Sequence, residues 1–405
     1  MGALSHIRVL DLTRVLAGPW ATQILGDLGA EVIKIEKPDE GDETRHFGPP
    51  FVQTADGQKG DAAYFLSANR NKKSVAIDIA KPEGAALVGR LARRAHVVVE
   101  NFKTGTLARY GLDYASLAAK NPALIYCSLT GFGHDGPYRD KAGYDYLIQG
   151  MAGLMSITGQ PDGTAGGEAM KVGVAVSDLF SGLYATVAIL AALIHQSRTA
   201  EGQQIDMALF DCQAAALANQ AMNYLASGVV PKRMGNAHPS IVPYQVFATA
   251  DGFLILAVAN DQQFKRFCKA AGAEHLSADV CFVTNAARVQ NREVLVALLA
   301  PLLKARATAE WIALLEQANV PCGPINRIDQ VFSDPQAVAR GLTVAMDRDG
   351  QPLNLVASPL RLEQTPPEYR LPPPCLGEHT DEVLREHLAL DTEQIAQLRG
   401  SGAIA

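Results

Sequence analysis

Residues 7–36 read IRVLDLTRVLAGPWATQILGDLGAEVIKIE. IRVLDL (7–12) reads as a fully buried strand and EVIKIE (31–36) as another strand. The stretch between them, from about Gly18 to Leu28, reads as a helix. The alternation continues outward: SVAIDI (74–79) reads as a strand, PEGAALVGRLARRA (82–95) as a helix with Pro82 near its first position, HVVVEN (96–101) as a strand and LIYCSLT (124–130) as another. Strands alternating with helices predict a parallel sheet of the α/β class. Such sheets bind ligands at the carboxyl ends of their strands. The loops after Leu12, Glu36, Glu100 and Thr130 are therefore where a site is expected.

From about Pro231 the texture changes. VPYQVFATADGFLILAVAN (242–260) reads as a hairpin around Asp251-Gly252, and helices are expected at about 261–272, 285–304 and 308–318. This makes 232–330 a second, smaller α+β domain. The proline-rich QTPPEYRLPPP (364–374) is expected to run as a strap over the surface, and short helices close the chain.

The chain has 405 residues, enough for two domains and a large core. Its 48% hydrophobic and 19% charged residues describe a globular protein rather than a disordered one. A net charge of −6 argues against a general nucleic-acid binder while leaving room for a local basic pocket. The six cysteines contain no C-x-x-C pair, so neither a zinc site nor a disulfide framework is expected. Reduced thiols in a cytoplasmic enzyme are the simplest account. MGALSHIRVLDLTRV at the start has no apolar core of the signal-peptide kind.

Asp178 is the only charged residue in the run Val172–Ile194, VGVAVSDLFSGLYATVAILAALI. A lone carboxylate in apolar surroundings would normally neutralise. An acid kept there points to a task, either accepting a proton or attacking a carbon. The pattern SDLFSGLYATVAIL also fits a helix start with Asp178 or Ser177 as the cap. The two roles are compatible, because N–H groups at a helix start keep a carboxylate ionised. The run is long enough to span a bilayer. An intramembrane Asp is expensive, so a helix buried within the protein is expected instead.

Gly131-Phe-Gly133-His-Asp-Gly136 matches G-x-G-x-x-G after a strand. Pro137 follows at once and no further strand ending in an acid comes about twenty residues on, so a turn is expected rather than a dinucleotide site. Arg70, Lys72 and Lys73 cluster before a strand, Lys37 ends another, and Arg109 lies beyond Phe102. Each is a solvated charge by itself; converging on one sheet edge, they would suit a ligand with several phosphates. His238, in the loop GNAHPS, stands in a plausible site location. No G-x-S-x-G or H-E-x-x-H is present, which leaves serine hydrolases and zincins without support.

In order along the chain, VLDLTRVLAGPWATQILGDLGAEVIKIEKPDEGDETR, NRNKKSVAIDIAKPEG, VVVENFKTGTLARYGL, SLTGFGHDGPY, AGYD, VGVAVSDLFSGLYA and GEHTDEVL resemble the family III CoA-transferases. The resemblance implies a large Rossmann-like domain built from both chain ends (1–225 and 331–405), a smaller domain between, and an interlocked homodimer. It places the family's catalytic aspartate at Asp178, which attacks an acyl-CoA thioester to give a mixed anhydride and then an aspartyl-CoA thioester. It places CoA contacts at Val15, Ala17, Lys37, Ile77, Asn101, Phe102 and Arg109. Lys37 stands where formyl-CoA transferase has arginine, which removes a bidentate phosphate grip. Leu16 replaces a glutamine of the formyl-specific enzymes, Tyr144 and Asp145 occupy the active-site tyrosine/acid pair, and His238 lies in the region of the lid loop. Coenzyme A is implied as co-substrate, with no permanently bound cofactor, metal, nucleic acid or membrane.

α-Methylacyl-CoA racemases share the fold and carry A-G-H-D where this chain has Ala142-Gly143-Tyr144-Asp145; without the imidazole one acid/base arm is missing. A CoA-ester-binding protein without turnover would not need Asp178, and its Asp178→Asn variant would behave like wild type. The runs GLMSITG, NYLASG and GNAHPSIVPYQVF look similar to the succinyl-CoA:glutarate type. This makes succinyl-CoA the expected donor and a C4–C6 dicarboxylate the expected acceptor, with Arg14, Arg45 or Arg70 as the cation for its distal carboxylate.

Overall fold

The computed structural model describes residues 1–54, 57–348 and 350–405. Its main sheet has six strands: β1 (Arg8–Asp11), β2 (Glu31–Glu36), β3 (Lys72–Ala76), β4 (Val97–Glu100), β5 (Ile125–Thr130) and β6 (Gln203–Ala208). They lie in the order β3-β2-β1-β4-β5-β6, and every neighbouring pair is parallel. The order reverses between β1 and β4. A doubly wound sheet opens a crevice at such a point, outside the carboxyl ends of the strands.

Apolar residues occur on both sides of the strands because both faces of the sheet are covered. Leu10, Ile33, Ile35, Val75 and Val98 point to one core, closed by Leu87, Val88 and Leu91 of helix α2 (Pro82–Ala92) and by Val383 and Leu384 near the chain's end. Val9, Val32, Val97, Val99 and Ile125 point to the other. There they meet Ala21 and Leu25 of helix α1 (Ala17–Asp27) and Ala185 and Ile189 of a long helix, Val176–Thr199. Each buried Val, Leu or Ile contributes about 1.5–3 kcal/mol, so alternate residues of one strand anchor both layers.

The sequence reading and the structure part at three places in this unit. Strand β6, QQIDMA, is half polar and lies at the sheet edge, where one side faces no partner strand; no apolar pattern marks it. Strand β3 begins two residues before the expected SVAIDI, with Lys72 inside it. The long helix is not buried all round: Phe180, Leu183, Tyr184, Val187 and Ile194 are exposed along one side. The proline-rich stretch is tied down by backbone, with the Asn71 side chain bonded to Glu368 O at 2.7 Å and to Arg370 N–H at 2.8 Å.

By chain contacts the protein forms two compact units. One comprises Met1–Leu154, Lys171–Val229 and Val338–Ala405, and the other Met155–Met170 and Val230–Ala337. Within the second, the hairpin Tyr244–Ala248/Phe253–Ala257 is joined antiparallel by Cys322–Pro324. Phe264, Phe267, Leu295, Leu299 and Trp311 form its core. The helix expected over 285–304 is two, Asn285–Gln290 and Arg292–Lys304. Between them the Asn291 side chain donates to Ala287 O at 2.9 Å, a local bond that competes with the helix ladder.

Candidate active site

The crevice between β1 and β4 is walled by the loop after β1. Its backbone is held group by group: Thr13 N–H by Asp11, Thr13 O by the Lys34 ammonium, and Arg14 N–H and O by the Asn101 amide at 3.0 and 2.7 Å. Two cavities open here. One, of about 350 Å³, is lined by Val15, Leu16, Ala17, Asn101, Phe102, Tyr144, Asp145 and Asp178. The other, of about 420 Å³, is lined by Lys37, Ile77, Phe102 and Tyr110. Arg14 and Phe102 line both, with the guanidinium 5.3 Å from the ring centroid.

Asp178 is buried, 8% exposed, in the first turn of the long helix, here α4 (Val176–Thr199), with α3 (Asp145–Met151) preceding it in the chain. It does not cap that helix, and neither does Ser177. The cap comes from Asp145, whose Oδ1 accepts the N–H of Ser177 at 2.8 Å and of Asp178 at 3.3 Å. Gln149, fully buried, donates to the other Asp145 oxygen at 2.7 Å and accepts Val172 N–H at 2.9 Å. Among the described residues no hydrogen bond or ion pair reaches the Asp178 carboxylate. Burial, and secondarily the Asp145 charge, push its carboxyl up to about 7.

Two close backbone approaches set this geometry. A Cβ on Gly182 of α4 would lie 2.6 Å from Ala17 O, so glycine there lets α4 press against the first turn of α1. A Cβ on Gly143 would lie 2.2 Å from the Gly131 Cα. This contact explains why Gly131 opens the G-x-G-x-x-G run: it accommodates the segment leading to Tyr144 and Asp145. Gly143→Ala is expected to shift Asp145 and thereby the head of α4. A displacement near 1 Å corresponds to a loss of about 10²-fold in turnover; a kcat within twofold of wild type would refute this coupling.

The basic residues do not converge. Arg70 is paired bidentately with Asp27 at 2.8 and 2.6 Å, Lys72 with Asp11 at 3.2 Å, and Lys73 with Glu382 at 2.7 Å. Arg45 is 3% exposed and paired with Glu36 and Asp61. None of the four lines either cavity. Of the three arginines considered for a distal carboxylate, Arg14 alone does. Arg109 is exposed in the turn Leu107–Tyr110 and lines neither cavity, whereas Tyr110 of the same turn lines the larger. Lys37 lines the larger cavity and bonds Glu40 at 2.8 Å. His238 belongs to the second unit, where its Nδ1 accepts Ser240 N–H at 3.1 Å. Lys103, Arg139 and Lys141 line the Asp178 cavity and were missed by sequence reasoning; each is an exposed loop cation with no pattern to mark it.

Glu31, Glu386 and His387 come close enough to share a metal ion. The Lys73 ammonium already stands 3.3 Å from both carboxylates, so a cation of the chain itself serves that group.

Residues 4–380 match the model of CoA-transferase family III. The chain is 54% identical, over 95% of both sequences, to the succinate–glutarate CoA-transferase of Agrobacterium fabrum. It is 45% identical to the succinyl-CoA:glutarate CoA-transferase of Mus musculus, over 100% of this chain and 91% of that one. A crystal structure of a CaiB/BaiF family protein from Brucella suis superposes with a TM-score of 0.84 at 50% identity, over 95% of this chain and 99% of that one. With its parallel sheet, its crevice acid and these relatives, the chain belongs to CoA-transferase family III.

Proposed function

We propose that the protein moves CoA from succinyl-CoA to a dicarboxylate such as glutarate, with Asp178 as the nucleophile. The observation that carries the reading is the cavity itself. A buried carboxylate without hydrogen bonds shares it with Leu16 and Ala17, whose N–H groups have no partner among the described residues. The names of the relatives supply the substrates.

The ionised carboxylate attacks the thioester carbonyl, forming an acyl–aspartyl anhydride and expelling CoA thiolate. The thiolate attacks the aspartyl carbonyl, giving aspartyl-CoA thioester and releasing succinate. The acceptor carboxylate then attacks that carbonyl and expels the thiolate. The thiolate takes the new acyl group and restores Asp178. Each tetrahedral oxyanion needs donors, and this reading assigns that part to the unpartnered Leu16 and Ala17 N–H groups at the start of α1, which line the same cavity as Asp178. The anhydride must be kept from water, which suits an 8%-exposed acid.

The strand order β3-β2-β1-β4-β5-β6 supports a Rossmann-like large domain. The exposed apolar side of α4 supports a second copy of the chain as its cover; the interlocked form of that dimer rests on the family resemblance. Six cysteines with no disulfide among the described residues suit a cytoplasmic enzyme. The racemase alternative has no support from the site: no histidine lines the Asp178 cavity among the described residues, and Tyr144 is 70% exposed.

The test incubates the enzyme with succinyl-CoA and a panel of carboxylic acids in D₂O and reads the acyl-CoA pool by mass spectrometry. Glutaryl-CoA without α-deuterium is expected, and Arg14→Gln should erase the preference for dicarboxylates. Equal use of formate or carnitine would overturn the substrate class, and α-deuterated, unexchanged esters would overturn transfer.

A further inference from the structure

Val15 has φ +69°, a left-handed conformation in the loop facing Asp178. A β-branched residue keeps that conformation only where its surroundings impose it. What imposes it lies beneath the loop. The Val15 N–H donates to Asp42 Oδ1 at 3.2 Å. The same oxygen accepts the Thr44 N–H at 3.0 Å and hydroxyl at 2.7 Å, while Oδ2 receives the Lys34 ammonium at 3.0 Å. Lys34 also donates to Thr13 O at 2.8 Å. Both charged side chains are 0% exposed. One buried carboxylate and one buried ammonium therefore grip the backbone on either side of Arg14.

A buried ion pair is weak evidence for stability, since an apolar pair of the same volume often serves the fold as well or better. Lys34 sits in the interior of β2, where the neighbouring Val32, Ile33 and Ile35 are buried apolar residues. What the pair adds to packing is a fixed Thr13 O and a fixed Val15 N–H. The residues that follow directly are Leu16 and Ala17, with the unpartnered N–H groups.

We propose that the Asp42–Lys34 pair is a positioning device for transfer: it holds Val15 left-handed and so aims the Leu16 and Ala17 N–H groups at the carbonyl that Asp178 attacks. Asp42 and Lys34 line the larger cavity, but with both side chains 0% exposed their polar atoms are spent on the loop, so they act through Val15 rather than on the reacting atoms. The proposal rests on the nucleophile reading of Asp178.

The test is a rescue. Asp42→Ala removes the acceptor and lets Val15 relax, so kcat is expected to fall at least about tenfold with KM for the acyl-CoA changed less than about threefold, as for donors used only in the transition state. Glycine adopts positive φ freely, so adding Val15→Gly to Asp42→Ala should restore much of kcat. A merely structural role for Asp42 would show no such rescue. Asp42→Asn keeps an acceptor oxygen and should give the same pattern at smaller size, which keeps the test open where the alanine variant does not fold. Val15→Gly alone should raise Tm, because glycine takes the left-handed conformation without strain. If the double variants stay as slow as the Asp42 single variants while Asp178→Asn is inactive, the positioning proposal alone falls. If Asp178→Asn retains transfer, the nucleophile reading falls and takes this proposal with it.

Discussion

Asp178→Ala is expected to lower CoA transfer by at least about 10³-fold, the scale at which loss of a covalent nucleophile leaves only binding and electrostatic stabilisation. CoA should still bind. Lys37 and Ile77 line the larger cavity and Phe102 lines both, so the truncation leaves them in place. The backbone of the loop after β1 is held by Asp11, Lys34, Asn101 and Asp42, none of which touches Asp178. The result therefore separates chemistry from recognition: kcat collapses while calorimetric CoA affinity stays within a few-fold. Quenching the wild-type enzyme with hydroxylamine during turnover of succinyl-CoA should displace CoA from the aspartyl thioester and leave a hydroxamate at Asp178 in a peptide map. Transfer within tenfold of wild type in the alanine variant would remove Asp178 from the nucleophile role.

What could be read from the sequence divides along a physical line. Strands β1, β2, β4 and β5 announce themselves because both of their faces are buried and their β-branched and other apolar residues cluster in short runs between helical stretches. Asp178 is legible for the complementary reason, as one acid where none is expected. The misses are tertiary. The cap of α4 is supplied by Asp145, thirty-two residues before Ser177, so local pattern nominated Ser177 or Asp178 instead. Arg70, Lys72 and Lys73 read as a phosphate cluster because they are adjacent in sequence. Their acids, Asp27, Asp11 and Glu382, come from α1, from β1 and from the chain's last hundred residues. Lys34 and Lys72 are the plainest case: a charge inside a strand reads as solvent-facing, yet both lie fully buried beneath the crevice. The same holds for Asp42, which reads as one acid among several in KPDEGDE and is one of the best-bonded carboxylates of the site.

The charge that the proposed nucleophile role requires of Asp178 works against the fold, and this gives the second large effect. Burial, then the Asp145 charge, raise the Asp178 carboxyl from 3.8 to about 7. In the unfolded chain it ionises near 3.8. Between these two values the folded protein holds a proton that the unfolded chain releases, so stability falls as pH rises through this window and is flat above about 7. That rise of the Asp178 carboxyl corresponds to about 4 kcal/mol of penalty at pH 8. Asp178→Asn has no charge to bury. It is expected to be inactive yet more stable than wild type at pH 8, by up to that amount, with the difference shrinking as pH is lowered toward 4. Paired denaturant titrations at several pH values measure it. Transfer by the wild type should run the opposite way, rising with pH through about 7 as the nucleophile ionises. Asp145→Asn keeps an oxygen for the Ser177 N–H but removes the neighbouring charge, so its rate profile should move to lower pH. An asparagine variant no more stable than wild type at pH 8 would mean that the folded protein meets the Asp178 charge with partners of its own. The carboxylate would then be stabilised in the ground state, and its attack on the thioester would have to draw on that much more binding energy from the substrate.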